Sequence, residues 1–153
     1  MSKILIAYYS HTGTTKEVGE RIKSATGGDV FEITPVNTYP ADIGEVIARG
    51  QKEIEDGITI ELSGTLPDAE PYDLIIAGTP NWCSTIAPPV ASFLKALKLS
   101  GKRVALYVTH GRGGLGHIPA DIAKLLPDVK LAEVYDGNEP EKLSAWLGGI
   151  GAV

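Results

Sequence analysis

The chain has a single cysteine, Cys83, among its 153 residues. No internal disulfide can form, and a cysteine-based zinc site is excluded. So little cysteine fits a reducing compartment. Long hydrophobic runs are also missing. The longest early one, Ile4 to Tyr9, is cut off by Ser10-His11-Thr12-Gly13. It is too short for a signal peptide or a membrane span, so a cytoplasmic protein without membrane insertion is expected. Positive charge is in deficit, with 14 Lys and Arg against 19 Asp and Glu, a net of -5. A nucleic-acid binder should carry a basic footprint instead, so no nucleic-acid partner is expected. Acid is in turn absent from Leu74 to Ala120, which holds five bases, whereas Gly28 to Asp73 holds eleven acids and two bases. That imbalance reads as solvated helix faces, or as a dipole that docks a charged partner.

What remains is an ordinary globular composition, 43% hydrophobic and 22% charged. It suits one domain over 1–153, large enough to fold without staples and too apolar for disorder. Apolar runs alternate with amphipathic stretches. Lys3 to Tyr9, Tyr72 to Gly78 and Arg103 to Thr109 read as buried strands. Asp29 to Thr34 and Lys130 to Tyr135 read as two more. Helices are expected over Thr15 to Thr26, ended by Gly27-Gly28, and over Ala41 to Glu55, with Ile43, Val46, Ile47 and Ile54 at mostly helical spacing on its apolar face. Three others are expected over Pro88 to Leu97, Gly116 to Leu126 and Glu139 to Gly148, the first with prolines in its opening turn. Ile58 to Leu62 fits a short strand or an extended segment. The βα alternation specifies an α/β protein, a three-layer α/β/α sandwich around a five-stranded parallel sheet in order 2-1-3-4-5. Ligands of such sheets sit outside the carboxyl ends of the strands, at the switch point between strands one and three.

Three loops fall at that edge. Ser10-His11-Thr12-Gly13-Thr14-Thr15 leads into the first helix. Backbone N-H groups and the dipole at a helix start attract an anion, and four hydroxyls add donors. One hydroxyl would suffice as a cap, so four point to a phosphate. The loop has no G-x-x-x-x-G-K, so a monophosphate suits it better than a triphosphate. Thr79-Pro80-Asn81-Trp82-Cys83-Ser84 follows the third strand. Its tryptophan either covers the core or stacks on a flat ring. His110-Gly111-Arg112-Gly113-Gly114-Leu115-Gly116 follows the fourth strand and contains a literal G-x-G-x-x-G. A dinucleotide fingerprint belongs after the first strand, however, and too little chain follows to build its βαβαβ unit. A backbone approaching the edge of a flat ligand is the better reading. Cys83 and His110 could pair as thiolate and imidazole, although a packed cysteine is the commoner case. Pro89 stands where a C-x5-R phosphatase needs arginine. His11 and His117 suit surface or capping roles, and Tyr39-Pro40 either lies near the site or ends a turn.

These three loops, in this order and each at its strand end, resemble the flavodoxin family over nearly the whole chain. The first matches that family's S/T-x-T-G-N-T phosphate loop, with Thr14 in place of the usual asparagine. The resemblance implies FMN as cofactor. It places the phosphate on Ser10, Thr12, Gly13, Thr14 and Thr15, with His11 of the same loop also counted as cofactor-binding, and the ring on Thr79, Pro80, Asn81, Trp82, Cys83 and Ser84. The ring's polar edge then falls to His110, Gly111, Gly114, Leu115 and Gly116. Two departures stand out. The third loop has no aromatic residue to sandwich the ring. Cys83 replaces a glycine whose positive φ and peptide flip stabilise one-electron-reduced flavin, so that form is expected to be poorly stabilised.

The implied role is an electron carrier between redox protein partners, a reductase and an acceptor, in a monomer or weak dimer. It calls for no metal and no general acid or base. An FMN-dependent NAD(P)H:quinone-type reductase is the nearest alternative. A cofactor-free signalling domain on this fold would need acidic residues at the strand ends, where Tyr8-Tyr9-Ser10 and Gly78-Thr79 stand instead.

Overall fold

In the first strand, β1 (Ile4–Tyr8), every residue is buried, and successive side chains serve opposite faces. Leu5 and Ala7 enter one core cluster; Ile4, Ile6 and Tyr8 enter another. The computed structural model describes residues 3–153. Along the chain β1 is followed by α1 (Thr14–Thr26), β2 (Asp29–Glu32), α2 (Ile43–Asp56) and β3 (Leu74–Trp82). Next come β4 (Thr85–Ile86), α3 (Pro88–Ala96), β5 (Arg103–Thr109) and α4 (Ile118–Leu125). The chain closes with β6 (Lys130–Leu131), β7 (Tyr135–Asp136), a 3-10 turn at Pro140–Lys142 and α5 (Leu143–Gly149).

The sheet runs β2-β1-β3-β5-β6, and these neighbours all pair in parallel. β7 also lies parallel to β5, beyond β6. Together β6 and β7 occupy the fifth position, so the sheet has the expected 2-1-3-4-5 order. Val18 and Ile22 of α1 and Trp146 and Leu147 of α5 fill one face. Val46 of α2, Val90 and Phe93 of α3 and Ile118 and Ile122 of α4 fill the other. The result is three layers, with both sheet faces dry.

Several boundaries depart from the sequence reading. β2 ends at Glu32 rather than Thr34. β3 does not stop at Gly78 but runs on to Trp82, because Thr79 and Pro80 continue its parallel ladder with β5 and Asn81 and Trp82 pair antiparallel with β4. The fifth strand is broken at 132–134, where the Glu133 carbonyl accepts a hydrogen bond from the Trp146 indole (2.8 Å). α4 starts at Ile118 instead of Gly116, since Gly114 and Gly116 both have positive φ and cannot continue into helix. The last helix opens as a 3-10 turn on Pro140. Ile58 to Leu62 forms no strand; its one ladder contact is the isolated antiparallel bridge from Leu62 to Pro35.

Candidate functional site

α1 begins at the carboxyl end of β1, and its N-cap is Gly13, at φ 98. A side chain there would meet nothing within 4 Å, so only the backbone conformation demands glycine. No side chain caps this helix. The hydroxyls around it are engaged elsewhere. Ser10 Oγ accepts from Gly13 N (3.0 Å) and closes the loop on itself. Thr12 and Thr14 hydroxyls lie 3.4 Å apart. Thr15 shares a buried 2.6 Å hydrogen bond with Thr109 and so ties α1 to the end of β5. α2 is a contrast: Asp42 caps it by accepting from Glu45 N (3.0 Å). The first-turn N-H groups of α1 are therefore left to an outside acceptor. Lys16, the nearest cation in sequence, is half-exposed and 3.6 Å from Glu32, so its nearest charged partner is that carboxylate.

The second segment is a tight hairpin. Cys83 and Ser84 connect β3 to β4 with φ of 55 and 65. Positive φ at both central residues is what a type I′ turn requires, and glycine or asparagine normally supplies it. The turn aims Trp82 and Cys83 at the cleft. Trp82 is half-buried and packs edge-on against Tyr39 (4.8 Å) and Tyr9 (5.5 Å). A Cβ at Gly50 would lie 3.3 Å from the indole, so α2 approaches it closely there. Tyr39 is itself fixed. Its hydroxyl donates to Glu53 (2.6 Å), and the Arg49 guanidinium lies 3.9 Å over its ring. Burial and the Glu53 carboxylate push the Tyr39 phenol well above its usual range. Tyr39 thus stands behind the site and braces Trp82.

The third loop is stitched to the second. Asn81 Nδ2 donates to the Gly114 carbonyl (2.9 Å), and His117 N donates to the Ser84 carbonyl (2.7 Å). Gly116 is obligatory, since a Cβ there would sit 2.8 Å from the Ser84 carbonyl oxygen. His110 is anchored from β7, with Nε2 2.9 and 3.1 Å from the two Asp136 carboxylate oxygens.

Between these loops lies a cleft of about 530 Å³, within the range of small-molecule sites. Ten of the seventeen candidate residues line it: His11, Thr12, Thr14 and Thr15; Pro80, Asn81, Trp82 and Cys83; His110 and Gly111. The other seven are placed differently. Ser10 and Gly13 shape the first loop. Thr79 is fully buried, accepting from Ala87 N (3.0 Å). Ser84, Gly114 and Gly116 join the second and third loops, and Leu115 packs on the core. Five lining residues had not been singled out for the site: Ile43, Val46, Ile47 and Gly50 of α2, and Thr109. Ile43 and Ile47 belong to the apolar face of α2 that the sequence pattern marks. They are 72% and 53% exposed and form an apolar wall. The signal was available, because α2 follows β2 and must begin at the strands' carboxyl edge.

Cys83 and His110 both line the cleft, but the His110 Nε2 nitrogen is engaged by Asp136, and no thiol–imidazole hydrogen bond is present among the described residues. Among those residues no group of three His, Cys, Asp or Glu could hold a metal ion, and no helix is long and apolar enough to cross a membrane.

Fold and cleft together define a doubly wound α/β protein. Its switch-point site joins an uncapped helix start to a flat, apolar, aromatic-walled slot. The family model described as Flavodoxin matches residues 3–149, and the chain belongs to that family. A candidate flavoprotein from Bacteroides eggerthii is 28% identical, covering 99% of both chains, with a TM-score of 0.87. A candidate flavoprotein from Bacteroides uniformis is 25% identical, covering 96% of this chain and 98% of its own, with a TM-score of 0.86. A flavoprotein from Lactobacillus acidophilus, solved in complex with FMN, shares the fold at 24% identity and a TM-score of 0.81, over 95% of this chain and 99% of its own.

Proposed function

We propose that the cleft holds FMN and that the protein carries low-potential electrons between a reductase and an acceptor. One observation carries the reading: α1 starts without a side-chain cap although four hydroxyls surround it. A helix end normally takes a nearby hydroxyl. Leaving it open suits a phosphate, which would accept from the first-turn N-H groups and from Thr12 and Thr14. Family membership and the FMN complex of the Lactobacillus acidophilus flavoprotein support the same cofactor. FMN, when bound, supplies one- and two-electron chemistry; the protein binds, orients and tunes it.

The chain's own residues then have separable tasks. Trp82 offers the ring a flat apolar surface, and Ile43 and Ile47 shield it from water on the α2 side. Stitching of Asn81 to Gly114 and of Ser84 to His117 keeps the two ring-side loops at a fixed spacing. The phosphate is held by neutral donors, since no lysine or arginine lines the cleft among the described residues and Lys16 is paired with Glu32. An uncompensated phosphate and an acidic chain disfavour further negative charge in the cleft. That sets a low potential, as a carrier of low-potential electrons needs. No carboxylate lines the cleft among the described residues; its titratable lining groups are His11, Cys83 and His110.

The test is the visible spectrum of the purified protein before and after adding FMN and desalting. Flavin bands that persist, with quenched fluorescence, are expected. No binding at micromolar FMN overturns the reading. Steady NAD(P)H oxidation by the protein alone would replace the carrier with a quinone-type reductase.

A further inference from the structure

We propose that His110, held by Asp136, is a positioning residue that couples electron uptake in the cleft to uptake of one proton. The inference rests on the FMN reading above and adds a proton to it.

The ring is fixed on one side only. Asp136 accepts from Nε2 through both carboxylate oxygens, at 2.9 and 3.1 Å. A carboxylate can only accept, so Nε2 carries the hydrogen and Nδ1 keeps a lone pair in the neutral ring. Asn138 locks the backbone around it. His110 N donates to Asn138 Oδ1 (3.1 Å), and Asn138 Nδ2 donates to the His110 carbonyl (2.6 Å). Asn138 N also donates to Asp136 Oδ1 (2.9 Å). Nδ1, however, is buried with no partner, alone in this among side-chain polar atoms of the described residues. Leaving a buried polar atom unsatisfied costs about 1–3 kcal/mol. The ring is thus firmly held while its second nitrogen has no partner, and that nitrogen is the one free to take a proton.

The surroundings set the sign. His110 lines the cleft and is 12% exposed. Asp136, from β7, is the carboxylate in contact with the ring. Across the cleft the other titratable lining groups are His11 and Cys83. From α1, Lys16 is paired with Glu32 and Arg21 with Glu17. After β7, Glu139 is paired with Lys142, and Arg112 stands exposed two residues along the loop. Electrons added in the cleft therefore favour a positive charge beside them, and the Asp136 carboxylate, 2.9 Å from Nε2, is placed to pair with it.

When an external reductant delivers two electrons to the cleft, a hydronium ion or buffer acid passes its proton to Nδ1, its conjugate base stays in solution, and the imidazole becomes imidazolium. No protein bond breaks. By linkage, a site that holds the proton more tightly when reduced is reduced more easily at lower pH. One proton for two electrons changes the reduction equilibrium tenfold per pH unit, about 30 mV.

The experiment measures the midpoint potential of the FMN-loaded protein from about pH 5 to 8, the range in which imidazoles change charge. Wild type, His110→Gln and Asp136→Asn are compared with dithionite as reductant, alongside NMR titration of the wild-type His110 ring in both redox states. In wild type, part of the range should show one more proton per two electrons than His110→Gln does. In Asp136→Asn that segment should move to lower pH. The ring should bind its proton at higher pH in the reduced protein. Equal slopes in wild type and His110→Gln, with FMN bound, overturn the inference and leave the FMN reading intact. If His110→Gln does not fold, the NMR titration decides alone, and one titration curve in both redox states overturns the inference. Wild type that binds no FMN removes both readings.

Discussion

Cys83 and Ser84 occupy left-handed backbone at the two tightest positions of the site, and neither is glycine. Such positions cost roughly 1–2 kcal/mol for a residue with a Cβ. Cys83→Gly should therefore stabilise the fold by up to about 1 kcal/mol after the added unfolded-state entropy, read as a higher urea midpoint. It should also free the turn. Flipping the 83–84 peptide of a type I′ turn gives type II′, whose first central residue is normally glycine. With FMN bound, stepwise photoreduction of Cys83→Gly should accumulate more one-electron-reduced flavin than wild type; an unchanged yield would disconnect the turn from flavin chemistry. Cys83 was legible as an awkward residue because glycine was expected there. Ser84 was not, since nothing local says that the next residue is left-handed too. For Trp82 the sequence left core cover and ring stacking open, and the structure gives one side chain that braces on Tyr9 and Tyr39 while lining the cleft.

The elements follow from their periods where burial is two-sided. β1 and β5 are continuous apolar runs, and both appear as read, to within a residue or two. The hairpin extension of β3 was hidden because its turn lacks the Asn-Gly or Asp-Gly signal. The break in the fifth strand was hidden because its cause, the Trp146 indole on the Glu133 carbonyl, comes from a distant helix. At α1, two glycines make opposite predictions. A Cβ at Gly19 would lie 2.7 Å from the Tyr8 ring and 2.8 Å from the Tyr107 hydroxyl. Gly19→Ala should cost about 1–3 kcal/mol of stability by overpacking, seen as a lower urea midpoint in the protein without ligand. A Cβ at Gly13 meets open space, so Gly13→Ala should cost about 1 kcal/mol through its φ alone. Its larger effect should be on FMN affinity, because the proposed phosphate site is built on that backbone. Equal losses of stability and no loss of affinity would contradict this division.

On the scale of the molecule, all six tyrosine phenols are raised, chiefly by burial, Tyr8 and Tyr9 to about 12. In the unfolded chain they ionise near about pH 10. Above that point the unfolded state sheds protons that the folded state keeps. The stability contributed by neutral tyrosine is thus whole below about pH 10 and is lost as pH climbs toward 12. Urea midpoints should fall steeply from about pH 10 to 11, with tyrosinate absorbance rising in the same transition as loss of circular dichroism. Midpoints that stay flat would mean that the buried phenols are not linked to folding. The three-layer order was legible as a whole because each βα unit repeats one pattern. The cleft was legible only in its loops, because its α2 wall is built from isoleucines that a helix wheel assigns to the core.

The central claim is that the open start of α1 holds a phosphate. Parallel titrations with FMN and with riboflavin, which differ by that phosphate alone, test it most directly. FMN should bind at least about 100-fold more tightly, roughly 2.8 kcal/mol. Equal affinities would mean that the ring is recognised and the uncapped helix is not a phosphate site.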